Sequence, residues 1–247
     1  MTFTGHTPGS PAYRRLIVGL FFAGIATFAQ LYSPQAVLPQ LSSNLGITPA
    51  TAALAVSAAT LGLAAAVVPW SMVADRMGRV PAMGIGILTA TALGVLAPFS
   101  TGMEMLLALR LLEGVALGAV PAVALAYLSE EVSARDAATA AGSYIAGTTV
   151  GGLLGRVLSG LAGEPWGWRA GIWTVAGVCA VAAVLFLWLT PKAQGFVPGR
   201  FRHDASPRML ARLAMPLRSA TQLALYMQGF LLMGAFVAVY NLSLIHI

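Results

Sequence analysis

From Leu16 to Ala74 the chain carries no formal charge, and three charges then fall within Asp75-Arg76-Met77-Gly78-Arg79 before the sequence turns apolar again from Val80 to Met103. A bilayer interior admits only helices or closed barrels, because every backbone N–H and C=O must find its partner within the protein. Barrel strands would appear as stretches of about ten alternating residues, whereas these runs are continuous and about twenty long. The pattern therefore predicts membrane-spanning helices joined by a charged hinge.

The first run, residues 16–38, opens after Arg14-Arg15 and closes near Pro39. The polar turn Ser42-Ser43-Asn44-Leu45-Gly46 precedes Thr48-Pro49, an N-cap and first-turn proline that start a second span over residues 49–73. A third span is predicted over 81–99. Thr101-Gly102-Met103-Glu104 has the form of a capping box, threonine accepting from the backbone and glutamate reaching back, and opens a fourth span over 102–128. Ser133-Ala134-Arg135-Asp136 repeats the device after the charged turn Glu130-Glu131 and opens a fifth span over 137–161. The sixth, residues 170–189, follows Trp166-Gly167-Trp168-Arg169, whose indoles fit an interfacial belt. Lys192, Arg200, Arg202, Arg208, Arg212 and Arg218 then stand against the single acid Asp204, and a last apolar run extends from Leu223. The expected organisation is all-α: a six-helix transmembrane domain over residues 1–190, a basic loop over 191–221 and a seventh transmembrane helix over 222–247.

Composition agrees with lipid as the main solvent, since 9% of the residues are charged against about a quarter in soluble domains. Lys and Arg are retained on the cytoplasmic side of membranes, so their distribution orients the chain. With the N-terminus inside, eleven of the fourteen basic residues lie in cytoplasmic segments, Arg169 lies outside, and Arg110 and Arg156 lie within spans. The net charge of +6 then reflects topology, and the expected partner is the lipid bilayer rather than nucleic acid. The first run is too long for the core of a cleavable signal and is expected to stay as an anchor. Cys179, the single cysteine, offers neither a disulfide framework nor a cysteine metal site, and no cofactor is expected.

Charge inside the spans points to function. A charged side chain at mid-membrane costs about 2.5 to 3.5 kcal/mol on insertion scales, so it faces a cavity or a partner. Arg110 and Glu113 stand at i,i+3 in span four. Either Glu113 takes up and releases a proton while Arg110 tunes it, or the two form a permanently ionised structural pair. Span one carries Thr27, Gln30, Tyr32 and Gln35, and span seven carries Tyr226, Gln228, Tyr240 and Asn241. Such groups either line a central cavity or hydrogen-bond between helices. Arg156 in span five is a further intramembrane cation, for which a substrate or carboxylate partner is expected. In the same span Ser143, Gly147, Gly151, Gly155, Ser159 and Gly163 recur every four residues, a stripe that lets helix backbones approach closely. Other membrane chemistries lack their residues: the only lysine, Lys192, lies in the loop, so no retinal Schiff base can form in the bilayer. No aspartate falls within a span, His6 and His203 lie outside the membrane, and His246 is in the terminal tail, which argues against an intramembrane hydrolase and against an enzyme of any kind.

The hinge carries the most specific resemblance. It is similar to the loop between helices two and three of the major facilitator superfamily of secondary transporters, where the pattern is Gly-x-Leu-x-Asp-Arg-x-Gly-Arg followed by basic residues. Here it reads Ser71-Met72-Val73-Ala74-Asp75-Arg76-Met77-Gly78-Arg79, with Ser71 for the glycine, Val73 for the leucine and Val80-Pro81 for the basic pair. Gly78 permits a tight turn, and a carboxylate beside two guanidiniums can lock neighbouring helix ends by ion pairs that exchange as lobes rock. Asp75, Arg76, Gly78 and Arg79 are thus expected to form a cytoplasmic gating latch. In span four, Arg110-Leu111-Leu112-Glu113-Gly114 resembles the family's arginine followed by a polar residue and glycine, with Glu113 where glutamine is commoner. Gly147-Thr148-Thr149-Val150-Gly151-Gly152-Leu153-Leu154-Gly155-Arg156 resembles the antiporter signature Gly-x-x-x-Gly-Pro-x-x-Gly-Gly, with Gly152 for the proline and Arg156 for the last glycine.

The resemblance implies a six-helix N-terminal lobe built from two inverted three-helix repeats. A displacement of 89 residues places Asp75 and Gly78 over Glu164 and Gly167, and Ser71 over Gly160. It further implies transport of a small solute by alternating access across a bacterial-type plasma (inner) membrane, with protons as the coupling ion and efflux as the direction. Proton-linked uptake is the runner-up, and a sensory or inactive half-transporter is the alternative from another class. On this expectation Glu113 and Arg110 handle the proton, while Gln30, Tyr32, Gln35, Arg156, Tyr226 and Asn241 line the solute cavity. In similar transporters the Tyr240-Asn241 position leads into an eighth helix, so the chain is expected to be a fragment lacking its C-terminal lobe.

Overall fold

In the computed structural model, which describes residues 5–195 and 219–245, the first crossing is a broken helix. Helix α1 (Pro11–Tyr32) begins at Ser10, whose side chain accepts from the Tyr13 amide, and Pro11 occupies the first turn. Pro34 has no N–H, so α1 stops, and a 3₁₀ turn at Gln35–Val37 leads into α2 (Leu38–Leu45), which ends at Gly46 with φ 64°. The helix therefore absorbs most of the polar stretch expected as a turn, and only Gly46 reverses the chain.

Helix α3 (Pro49–Met77) starts as expected, Thr48 accepting from the Thr51 amide at 3.1 Å. One residue, Gly78, separates it from α4 (Arg79–Leu96), which ends in a 3₁₀ turn at Ala97–Phe99. The fourth crossing is again broken: α5 (Met103–Leu117) gives way at Gly118–Val120 to α6 (Pro121–Glu131). Gly102, not Thr101, holds the N-cap position of α5, and no side chain caps it, so the predicted capping box is absent there. At the next boundary Asp136 is the N-cap; the Ser133 hydroxyl bonds its carboxylate at 2.6 Å while the Ser133 carbonyl accepts from the Ala137 amide.

Helix α7 (Ala137–Leu189) has 53 residues, about 80 Å at 1.5 Å per residue, against a hydrocarbon core of about 30 Å. Its break at Gly167 (φ 83°, ψ 165°) divides it into the fifth and sixth crossings. Gly78 has nearly the same backbone, φ 101° and ψ 156°, and lies 89 residues earlier. At that offset α3 overlies residues 138–166 and α4 overlies the start of the sixth crossing, so the repeat faintly visible in sequence is also a repeat of helices and of their hinges. The two hinges lie at opposite ends of the lobe, the Gly78 end and the Gly167 end. At the Gly167 end Asn44 Oδ1 accepts from Trp168 Nε1 at 3.2 Å and Arg169 Nη1 at 3.3 Å, and Arg169 also donates to the Pro98 and Ser100 carbonyls. Trp168 is 2% exposed and belongs to this clamp; of the two expected belt indoles only Trp166, 75% exposed, faces outward.

The multi-pass architecture is all-helical, and no strand occurs among the described residues. The chain divides into two compact units, Met1–Gly199 and Arg200–Ile247, the second holding α8 (Ala220–Ile245). In the first unit α1 packs along the first half of α7 through the small-residue stripe. A Cβ at Gly147 would strike the Phe21 carbonyl, one at Gly155 the Ala29 carbonyl, and one at Gly151 would sit 2.7 Å from Ile25 Cα. These glycines permit backbone contact that lipid, as apolar as the helices, gives no hydrophobic reason to form.

Gly147→Val is expected to lower stability by about 1 to 3 kcal/mol through overpacking. Gly177→Ala, which meets nothing within 4 Å, should leave it unchanged or slightly raised. The buried Cys179 makes thiol-reactive dye uptake on heating a direct measure of the midpoint.

Candidate functional site

Three clusters bring the predicted residues together. At the Gly78 end, the single-residue hinge sets the last turn of α3 beside the first residue of α4, so that Arg79 Nη1 meets Asp75 Oδ1 at 2.5 Å. The same guanidinium reaches α6: Nη2 donates to Glu130 Oε1 at 2.7 Å, and Nε lies 3.2 and 3.1 Å from the two Glu130 oxygens. Arg76 is exposed on the last turn of α3. Arg79 is thus the centre of a three-residue charge cluster whose third member is Glu130. In the sequence Glu130 stands in a charged turn, and the order of crossings puts that turn at the same membrane face as Asp75 and Arg79. The pairs are partly exposed, Asp75 by half, so solvent screens them.

The second cluster is fully enclosed. Arg110 and Glu113 are 0% and 1% exposed, and Arg110 Nη1 donates to Glu113 Oε2 at 2.7 Å. Three backbone carbonyls surround the rest of the guanidinium: Nε bonds Ala55 O of α3 at 3.1 Å, Nη1 bonds Gln30 O at 3.2 Å and Nη2 bonds Leu31 O at 2.8 Å. The Gln30 carbonyl is available because Pro34, four residues on, has no hydrogen to offer it. Gly114 and Gly62 make the approach possible, since a Cβ on Gly114 would collide with the Ala59 carbonyl and one on Gly62 with that of Leu111. Gln30 belongs here: its side chain is buried, with Nε2 3.5 Å from Thr91 Oγ1.

The third cluster is half open and lies next along α1. Arg156 Cζ stacks 4.3 Å from the centre of the Tyr32 ring, its Nε donates to Gln35 Oε1 at 2.7 Å, and its Nη1 donates to the Gly152 carbonyl one turn earlier at 3.0 Å. Gly152, standing where the antiporter signature has proline, leaves ordinary contact distance to both the Tyr32 ring and Arg156. Tyr226 is exposed on α8 in the second unit, and Asn241 lies outside the residues whose side chains are described. Among the described residues no group of histidine, cysteine and carboxylate side chains is placed to hold a metal ion. Two surface hollows, one at Phe22, Ile25 and Val178 and one at Ala65, Pro69 and Trp70, are lined almost wholly by apolar groups and touch none of these clusters.

Residues 20–246 match the profile of the Major Facilitator Superfamily. The chain is 35% identical over 234 residues to the inner membrane transport protein YnfM of Escherichia coli (strain K12), covering 94% of this chain and 55% of that one. It is 34% identical over 237 residues to the uncharacterized MFS-type transporter YybF of Bacillus subtilis (strain 168), covering 94% and 57%. The chain thus spans about half the length of the curated relatives it matches. Among solved structures, a peptide transporter POT in complex with sulfate superimposes with a TM-score of 0.65 over 96% of this chain and 47% of that one, at 16% identity, a likeness of fold.

Breaking the enclosed pair from one side should be costly. Arg110→Leu leaves Glu113 buried without its cation and frees three carbonyls, a loss of about 3 to 5 kcal/mol. The double variant Arg110→Leu/Glu113→Leu is expected to be more stable than Arg110→Leu alone, as read by the Cys179 dye midpoint.

Proposed function

Because the chain belongs to the major facilitator superfamily, we propose that it carries a small solute across a bacterial-type inner membrane by alternating access, with protons as the coupling ion and efflux as the direction. The observation that carries this reading is the enclosed Arg110–Glu113 pair lying against the broken end of α1. Among the described residues Glu113 is the fully buried carboxylate in the middle of a crossing. A proton bound there removes the charge that Arg110 Nη1 faces, while the bonds to Gln30, Leu31 and Ala55 keep the guanidinium seated on α1 and α3. The change is therefore delivered to the α1 backbone at Gln30–Leu31. The next residue is Tyr32, on which Arg156 stacks. Tyr32, Gln35 and Arg156 form the solute-facing group in this reading.

A cytoplasmic Gly78 end is supported by the positive-charge distribution along the chain. Asp75, Arg79 and Glu130 are then a cytoplasmic gate, closed by charge pairs that cost little to exchange because they are partly solvated. Efflux is supported by the Gly147–Arg156 stretch and its likeness to the antiporter signature. The three carbonyls on Arg110 favour a second reading of the pair, in which it stays ionised and only braces α1 against α3 and α5.

Reconstituted in proteoliposomes under an imposed pH gradient, the protein is expected to show proton movement dependent on added solute, surveyed over organic anions, sugars and lipophilic cations. Glu113→Gln should reduce that coupled movement by at least about tenfold, since catalytic proton groups contribute on that scale or more. Undiminished coupled flux in Glu113→Gln would sink the proton role and leave the brace.

A further inference from the structure

Two adjacent carboxylates end α6, and they face different parts of the chain. Glu130 grips Arg79. Glu131 is completely buried, and its Oε1 accepts from the backbone amides of Gln194 at 2.7 Å and Gly195 at 2.6 Å. Its Oε2 lies 3.8 Å from His6 Nε2. The backbone at this point also receives the start of the chain, because the His6 amide donates to the Glu131 carbonyl at 2.7 Å and the Ser133 amide donates to the His6 carbonyl at 3.2 Å. Gly5, at φ 89°, is pressed so closely that a Cβ would stand 2.6 Å from the Ser133 nitrogen. Two further side chains hold the segment leaving α7: Tyr127 Oη donates to the Pro191 carbonyl at 2.8 Å and Arg15 Nη2 to the Trp188 carbonyl at 3.1 Å.

A chain emerging from the membrane could have its amides solvated by water at no cost. Here a carboxylate is withdrawn from water to bond two of them, and such burial is tolerated only when charge-assisted hydrogen bonds replace the lost hydration. We propose that Glu131 is a positioning residue of the transport cycle: it fastens the segment after α7, and with its backbone the N-terminal segment, to the same helix end that bears the gating carboxylate Glu130. When the Arg79–Glu130 pair parts, the end of α6 moves, and Glu131 passes that movement to residues 188–195, which lead toward the second unit. This rests on the alternating-access reading above, although the fastening itself is a property of the resting lobe.

Hydrogen exchange on the whole protein in lipid nanodiscs tests it. Glu131→Ala should speed exchange of the 190–195 and 5–10 amides by about tenfold or more, the scale of losing hydrogen bonds to a charged acceptor. Glu131→Gln, which keeps an acceptor oxygen, should fall between, and it serves if the alanine variant does not accumulate. Opening the gate with Glu130→Ala should also speed exchange at 190–195 when Glu131 is present, and add nothing in the Glu131→Gln background. That non-additivity is what a mere clip would not show. No change at 190–195 in Glu130→Ala, or fully additive effects, overturns the coupling. Absent solute-dependent proton flux with the non-additivity intact would count against transport and leave the coupling standing.

Discussion

Pro34 has no amide hydrogen, and the inner organisation of the lobe depends on what that leaves behind. The carbonyl of Gln30 loses its helical donor at mid-membrane, where water cannot replace it. Ser33 and Arg110 supply donors instead, and to do so the guanidinium must enter a space walled by α1, α3 and α5. A bare cation there is prohibitively costly, which makes Glu113 its necessary neighbour. Glycines at 62 and 114 bring α3 and α5 close enough for the Ala55 carbonyl to be reached alongside those of Gln30 and Leu31. One missing hydrogen is thereby linked to a helix break, a buried ion pair and a tight three-helix contact.

The two ends of the lobe solve a similar problem with different chemistry. Gly78 and Gly167 share a backbone conformation open to glycine, and each lets one helix follow another with a single intervening residue. At the Gly78 end the neighbouring groups are ions, Asp75 and Glu130 sharing Arg79. At the Gly167 end Arg169 instead holds neutral oxygens on Asn44, Pro98 and Ser100. Ion pairs in partial contact with water are weakened by screening, whereas a guanidinium bonded to the Asn44 side chain and to two backbone carbonyls of the α4–α5 connection does not move without unmaking all three bonds. The two ends thus differ in kind, partly solvated ion pairs at one and a guanidinium held by neutral oxygens at the other.

Much of this was legible along the chain. Continuous apolar runs located the crossings, the four-residue stripe from Ser143 to Gly163 marked the face that meets α1, and the spacing of Arg110 and Glu113 foretold their pairing. Other expectations depended on neighbours that the local pattern does not contain. Thr101 has the residue type of a cap, yet the chain turns one residue later. Trp168 has the composition of an interfacial indole, yet Asn44, more than a hundred residues away, offers its Nε1 a partner inside the protein. Glu130 and Glu131 look alike in sequence and have separate tasks, because successive residues on a helix are turned about 100° apart.

The sequence by itself determined the solvent, the all-helical class, the family and the residues that carry charge inside the crossings, since each follows from hydrophobicity and local spacing. Only the tertiary structure decided which partners those charges take: Arg79 with α6, Arg110 with carbonyls of two other helices, Arg156 with the face of Tyr32, and Glu131 with the amides after α7. The physical reason is range. Burial and helix period are written in neighbouring residues, whereas a hydrogen bond is made at about 3 Å between groups that only packing brings together.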